Sequence, residues 1–143
     1  MEGVIPLIIW LFTAPYQSNL DHFVFDIPIT CRLPVDRFTY KIQFFENDVF
    51  SNRDVLTRAF NETIGPMPVY RKFVGQLGGD EIFSAGYSIS ADIEHDCTND
   101  RKPVKARIIF KQLCRLGKWC NLAYDLNLTN LKGFHKQDAV ITK

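Results

Sequence analysis

Apolar and polar residues alternate with a period of two along much of the chain. In residues 23–31 every odd position holds an apolar residue or a cysteine. Successive side chains of a β-strand point to opposite faces, so this alternation predicts strands with one buried and one solvated face. Such two-faced strands are typical of antiparallel sheets, and six or more of them predict an all-β sandwich or barrel. The same alternation continues in residues 38–46, 87–94, 104–111 and 121–128.

Four places break or weaken the pattern. Pro28 has no N–H to donate, so the first strand is expected to lie at a sheet edge or to have the N–H side of that residue face outward. Residues 54–60 fit either a short helix capped by Asn52 or an irregular strand, and residues 69–74 predict a short strand. After Asn130 the periodicity is weak, and we expect a loosely ordered tail.

The start of the chain predicts export. Residues 4–14 carry no charge and are mostly large and apolar, too short a run to span a bilayer but matching the core of a secretory signal. We expect a signal peptide over residues 1–18, cleaved after Ser18, with a buried first strand as the alternative. The remaining chain is interpreted as one β-sandwich domain at 19–130 and a C-terminal tail at 131–143.

Composition and charge narrow the classes of partner. The chain has 143 residues, 46% of them hydrophobic, which is enough for one packed domain. By itself, a formal net charge of +1 implies no nucleic-acid or membrane partner. Residues 1–100 carry seven Lys and Arg against fourteen Asp and Glu, whereas residues 101–143 carry ten against two. The halves either attract each other within one fold or form a basic face for an anionic partner.

The four cysteines are consistent with two disulfide bonds. Cys31 and Cys97 each continue the inward face of a predicted strand, and Cys114 and Cys120 share the inward parity of the strands on either side of a short connection. We therefore expect bonds 31–97 and 114–120, the second at the root of a hairpin. Together with sequons at Asn61 and Asn127, which predict N-glycosylation, these features indicate a secreted, extracellular protein.

The order of features resembles the nematode transthyretin-like family over residues 23–130. The family's opening strand ends in cysteine, as Ile29-Thr30-Cys31 does, and an alternating strand with an acidic loop follows, as in residues 40–48. Its H-x-C signature is similar to His95-Asp96-Cys97. The acidic stretch, the basic strand after Lys-Pro and the closing strand of the family resemble residues 52–56, 102–108 and 121–128. The chain departs from the family at residues 65–69, and Cys114 and Cys120 look like an addition.

This resemblance implies a secreted, transthyretin-like antiparallel β-sandwich of about seven to eight strands, stapled by disulfides. It implies a biochemical role that is mostly undefined. Some relatives bridge apoptotic cells to phagocytes by recognising exposed phosphatidylserine, but no residues of this chain match that role.

The residues give no indication of catalysis. The chain has no G-x-S-x-G motif and no Tyr-Arg-Gly-Ser/Thr ending of the kind found in the hydroxyisourate hydrolases related to transthyretin. His95 and Cys97 are two apart, but Cys97 is expected in a disulfide, so we predict no metal site and no cofactor.

One predicted strand carries a basic face. Lys105, Arg107 and Lys111 alternate with its apolar residues and form either an anion-binding surface, for phospholipid headgroups or glycans, or a solvated face. We therefore expect a non-enzymatic binding or adaptor protein whose partner is an extracellular protein or a cell-surface lipid. A carrier of a small apolar ligand is the alternative, and the sequence leaves the oligomeric state open.

Overall fold

The computed structural model describes residues 20–47, 53–78, 86–115, 117 and 119–142. The expected signal peptide over residues 1–18 lies outside these residues. The described chain is all β, and its strands are β1 (Leu20–Thr30), β2 (Phe38–Asn47), β3 (Asp54–Val55), β4 (Phe60–Ile64), β5 (Val69–Gly78), β6 (Tyr87–His95), β7 (Val104–Cys114), β8 (Cys120–Ala123), β9 (Leu126–Asn127), β10 (Gly133–Gln137) and β11 (Val140–Thr142).

The strands form two sheets that pack as a sandwich, which confirms the predicted fold class. The five-stranded sheet has the order β11-β8-β1-β5, with β9 also paired to β1. The six-stranded sheet has the order β10-β7-β6-β2-β3, with β4 also paired to β2. Most pairs are antiparallel, but β8 and β9 run parallel to β1, and β10 runs parallel to β7.

The alternating apolar positions form the core between the sheets. Phe25 of β1 and Phe44 of β2 stack with ring centroids 4.1 Å apart, and both are completely buried. Burying one such side chain stabilises the fold by roughly 1.5–3 kcal/mol. Further buried residues come from both sheets, among them Phe23, Ile27, Ile29, Tyr40, Ile42, Ile89, Ile93, Ile108, Phe110, Leu122 and Leu128.

Both predicted disulfides form, and both connect the two sheets. Cys31 follows β1 and Cys97 follows β6, with their Cα atoms 6.0 Å apart. Cys114 ends β7 and Cys120 begins β8, with their Cα atoms 5.5 Å apart. The prediction of a hairpin at the second bond is wrong, because β7 and β8 belong to different sheets. The chain crosses from one sheet to the other between these two strands.

Pro28 lies in an interior strand, not at the predicted edge. On one side of β1 it is paired with Tyr70 of β5. On the other side β8 pairs only as far as Asp26 and β9 begins only at Ile29, so Pro28 faces the break between these two short strands. A proline has no N–H to give to a neighbour, and the interruption removes the need for one. Residues 121–128 therefore form two short strands in place of the single one expected.

Two further segments differ from the predicted pattern, and a third follows one of two alternatives that the sequence left open. Residues 54–60 follow the irregular-strand alternative, with β3 and β4 separated by residues 56–59, which bend at Thr57. The strand expected at 69–74 continues to Gly78 as β5. The segment expected to be a loose tail contains β10 and β11, which form one edge of each sheet. Its periodicity is weak because an edge strand buries little, and Phe134 and Val140 point outward. Together these changes give eleven strands in the described chain where seven to eight were expected.

Candidate functional site

The outer face of the six-stranded sheet carries two rows of polar residues that cross the strands. In the first row Gln43 of β2, Asp92 of β6, Arg107 of β7 and Phe134 of β10 are direct neighbours. In the second row Lys41 is followed by Glu94 and Lys105. Cross-strand neighbours on one face lie close enough to interact, so the register decides which charges meet.

Asp92 is the centre of the first row. Arg53 donates hydrogen bonds of 2.9 and 2.8 Å to its two carboxylate oxygens, and Arg107 donates bonds of 2.6 and 3.1 Å. The guanidinium of Arg53 lies over the ring of Phe45, 4.1 Å from the centroid, and that of Arg107 lies 5.1 Å from the centroid of Phe134. A continuous ladder of alternating aromatic and charged groups therefore crosses the sheet.

The ladder fixes the charge of Asp92. Partial burial raises the pKa of its carboxyl group, but the hydrogen bonds and charges of Arg53 and Arg107 outweigh burial and hold that pKa below its ordinary value. Asp92 therefore stays ionised near neutral pH and neutralises part of the two arginines' charge.

An open cleft of about 380 Å³ lies over the two rows. Its charged lining residues are three cations, Lys41, Lys105 and Arg107, and two carboxylates, Asp92 and Glu94. Within the described chain, neither lysine has a carboxylate oxygen within 4.0 Å, so both amines are available to a ligand. We call this region the outer-face cleft; its remaining lining residues are Gln43, Ile93, Ala106, Gly133 and Phe134.

The three residues predicted to bind anions have different environments. Lys105 is exposed and lines the outer-face cleft. Arg107 also lines it but is bound to Asp92. Lys111 lies outside the lining, about 20 Å along the strand from Lys105, with its amine 3.8 Å from Asp138. The basic strand therefore supplies one free cationic side chain to the cleft, not three.

Sequence reasoning missed two residues of the cleft. Lys41 belongs to a predicted polar face, but nothing local shows that β6 separates it from Lys105. Phe134 lies in the segment expected to be a loose tail, yet β10 places its ring against Arg107. For both residues the deciding information is strand order, which the alternation of one strand does not contain.

His95 has a structural position beneath this face. Its ring is buried, Nδ1 accepts a hydrogen bond of 3.0 Å from the Cys97 amide, and Nε2 donates one of 2.6 Å to the Leu131 carbonyl. Burial lowers the pKa of the imidazole, which favours the neutral ring that these two bonds require. Among the described residues, no three His, Cys, Asp or Glu side chains are grouped to hold a metal ion.

The two sequons lie on different sheets. Asn61 is exposed on β4 and is paired with Lys41, at the margin of the outer-face cleft. Asn127 is exposed on β9, where its Oδ1 accepts hydrogen bonds from the amide (3.1 Å) and the hydroxyl (2.7 Å) of Thr129. The side-chain nitrogen that would carry a glycan belongs to an exposed residue in both cases.

Comparisons with known proteins give little information about this site. No protein-family model matches the chain, and no curated protein matches it. Among solved structures, an alternative pilotin from the type II secretion system of Vibrio cholerae is similar at 10% sequence identity, with a TM-score of 0.37. The match covers 85% of this chain and 95% of the pilotin chain. A likeness at this TM-score carries no argument about function, so the site is interpreted from its own residues.

The described part of the chain contains no helix long and apolar enough to cross a membrane. Its two disulfides are compatible with an extracellular location, because such bonds persist in oxidising compartments.

Proposed function

We propose that this protein is a secreted, non-enzymatic binding or adaptor protein of the transthyretin-like type, and that its outer-face cleft holds an anionic group of a cell-surface partner. The observation that carries the proposal is the pair of free amines, Lys41 and Lys105, at the two ends of one cross-strand row. A lipid headgroup is the partner to test first, and an extracellular protein with an exposed acidic group is the other.

The geometry of the row supports recognition of a single anion. Two strand spacings of about 4.8 Å place the Cα atoms of Lys41 and Lys105 roughly 10 Å apart, and flexible lysine stems can converge over that distance. Glu94 lies between them and reduces the local positive potential. Each lysine near an anionic membrane contributes about 1 kcal/mol, so binding is expected to be weak and sensitive to salt.

The charge state of the cleft supports a role in binding and not in catalysis. A general base needs a pKa near the working pH, whereas the pKa of Asp92 is held low by two arginines. His95 is buried with both ring nitrogens engaged. These two groups therefore serve to fix the shape of the sheet.

Vesicle binding tests this proposal. We expect the protein to sediment with vesicles that contain an anionic phospholipid at low ionic strength, and not with neutral vesicles. Replacing both lysines, Lys41→Ser with Lys105→Ser, should reduce binding by at least about tenfold. Arg32→Ser removes one exposed cation at the end of β1, away from the cleft, and should have little effect. Equal binding by the double variant and the wild type would contradict the proposal.

Carriage of a small apolar ligand is the second candidate function. The core region lined by Ile27, Phe44, Ile108 and Phe110 is packed too tightly to admit a water molecule, so an apolar ligand would need the outer-face cleft or a contact between subunits. Native mass spectrometry of the protein from its source would show a stoichiometric small molecule if the chain is a carrier.

Glycosylation bears on the same site. A glycan on Asn61 would stand beside Lys41 and is expected to weaken vesicle binding, whereas one on Asn127 would not. Gel mobility before and after glycosidase treatment reports occupancy, and Asn61→Gln and Asn127→Gln separate the two sites.

A further inference from the structure

The strand β5 forms one edge of the five-stranded sheet. Within the described residues it pairs with β1 alone, along its whole length of ten residues. The side of an edge strand that faces away from its one neighbour presents a row of N–H and C=O groups, and these can pair with a further strand. Such a long edge is a place where a partner can bind by its backbone.

A groove follows this edge. It has a volume of about 680 Å³ and is lined on one side by five consecutive residues of β5, Lys72 to Gln76. Alternate side chains of a strand point to opposite faces, so contact with consecutive residues means that the groove runs along the backbone edge. Residues 56–60 form the opposite wall, and we call this region the β5 groove.

The opposite wall is held in place by the backbone. The amides of Leu56 and Thr57 both bond to the Phe44 carbonyl, at 3.0 and 3.4 Å. The Leu56 backbone packs against Gly75, where an added Cβ would lie only 2.6 Å from the Leu56 oxygen. Glycine is therefore required at 75 for the wall to approach β5 this closely.

The charge of the β5 groove indicates its partner. Arg58 and Lys72 line it and are exposed, and none of the ten lining residues is acidic. Lys72 also lies 3.7 Å from Asp26, an exposed pair that contributes little. A second copy of this chain would bring Arg71 and Lys72 of its own β5 toward these cations, so like charges disfavour pairing of two β5 strands.

We propose that the β5 groove binds an extended acidic peptide segment of a partner protein, which adds as a strand to β5. Main-chain hydrogen bonds to the free edge supply the affinity, and Arg58 with Lys72 selects for carboxylates. This site lies between β5 and residues 56–60, shares no lining residue with the outer-face cleft and does not depend on the function proposed for that cleft.

Amide-resolved NMR tests the proposal with synthetic probes. The first probe is an octapeptide of alternating glutamate and valine, and the second replaces glutamate with lysine. We expect the glutamate peptide to bind at or below about 1 mM and to protect alternate amides of residues 72–76 from hydrogen exchange. The lysine peptide should bind at least about tenfold more weakly. N-methylation of the glutamate peptide at alternate residues should abolish binding in one parity and not in the other.

Protein variants locate the charge recognition. Arg58→Ser and Lys72→Ser should each weaken binding of the glutamate peptide by roughly threefold to fivefold, while Arg32→Ser, which lies outside both linings, should leave it unchanged. The proposal is overturned if the folded protein binds no glutamate peptide at about 1 mM, or if N-methylation in both parities is equally tolerated. It is also overturned if the outward amides of β5 are already protected in the free protein. In that case sedimentation would show whether a second copy or the chain itself covers the edge.

Discussion

The outer faces of the two sheets have the same alternating pattern but opposite chemistry. On the six-stranded sheet, charged residues of neighbouring strands meet in rows and bind one another around Asp92. On the outer face of the five-stranded sheet, the described residues form one ion pair, between Asp26 and Lys72. Most other outward positions there are uncharged, including Val24, Pro28, Tyr70, Val74, Ala123 and Val140.

The difference shows that a polar strand face can serve two purposes. Where cross-strand neighbours of opposite charge form an ion pair, as Asp92 and Arg107 do, they neutralise each other. Lys41 and Lys105 flank Glu94 but have no carboxylate oxygen within 4.0 Å in the described chain, so they are available to a ligand. Where outward residues are uncharged, the strand edge becomes the feature that a partner can use. The two proposed sites follow this division, one on a face and one on an edge.

The largest expected effect concerns the two disulfides, which connect the two sheets. Replacing Cys31 and Cys97 with serine opens a loop with a sequence separation of 66, which should lower the free energy of unfolding by about 4 kcal/mol. Replacing Cys114 and Cys120, with a separation of 6, should lower it by about 2 kcal/mol. Urea denaturation of both double variants measures the two values. A larger loss for the short loop would show that loop entropy does not govern these bonds.

The next largest effect compares one carboxylate from each face. Asp92→Asn removes the group that four charge-assisted hydrogen bonds share, and should cost about 2 kcal/mol of stability. Asp26→Asn breaks an exposed pair at 3.7 Å and should cost about 0.5 kcal/mol or less. Denaturation midpoints of the two variants at neutral pH give the comparison. Equal losses of stability in the two variants would mean that the aromatic and charged ladder does not stabilise the sheet.

The Asp92→Asn variant also tests the comparison at acid pH. The folded pKa of Asp92 is lowered, so its contribution to stability is present above an unfolded pKa of roughly 4 and is lost as pH falls through the folded pKa. Stability of the wild type should therefore fall in acid, and Asp92→Asn should show a shallower fall. Glu62, whose pKa is lowered chiefly by a hydrogen bond from Arg71, keeps part of the acid sensitivity in every variant. Thermal denaturation between neutral and acid pH records the slopes, and an unchanged slope in Asp92→Asn would contradict the assignment.

The smallest effect concerns the end of the ladder. Phe134 lies against the guanidinium of Arg107, and this contact should contribute about 0.5 kcal/mol at an exposed site. A double-mutant cycle of Phe134→Ala with Arg107→Gln measures it as a coupling free energy. On the other face, the cycle of Tyr70→Ala with Lys72→Gln should give a coupling near zero. Similar couplings in both cycles would remove this distinction between the faces.

Much of this molecule follows from local pattern. Alternation places Phe25, Tyr40 and Ile108 inward, and all three are buried. Inward parity, together with the short connection between Cys114 and Cys120, predicts the pairs 31–97 and 114–120, and both form although the expected hairpin does not. The same local pattern does not predict the strands after residue 130, because an edge strand such as β10 buries too few side chains to show a period.

Strand order was decided only by the tertiary structure. Within a strand the sequence determines which face each side chain takes, since that depends on backbone geometry alone. Which strand lies beside it depends on contacts between residues far apart in the chain. Lys105, Arg107 and Lys111 are alike in sequence, yet Arg107 meets Asp92, Lys111 lies near Asp138, and Lys105 is left free with Lys41 two strands away. The sequence thus determined the faces, and long-range pairing decided which charges on them can bind a partner.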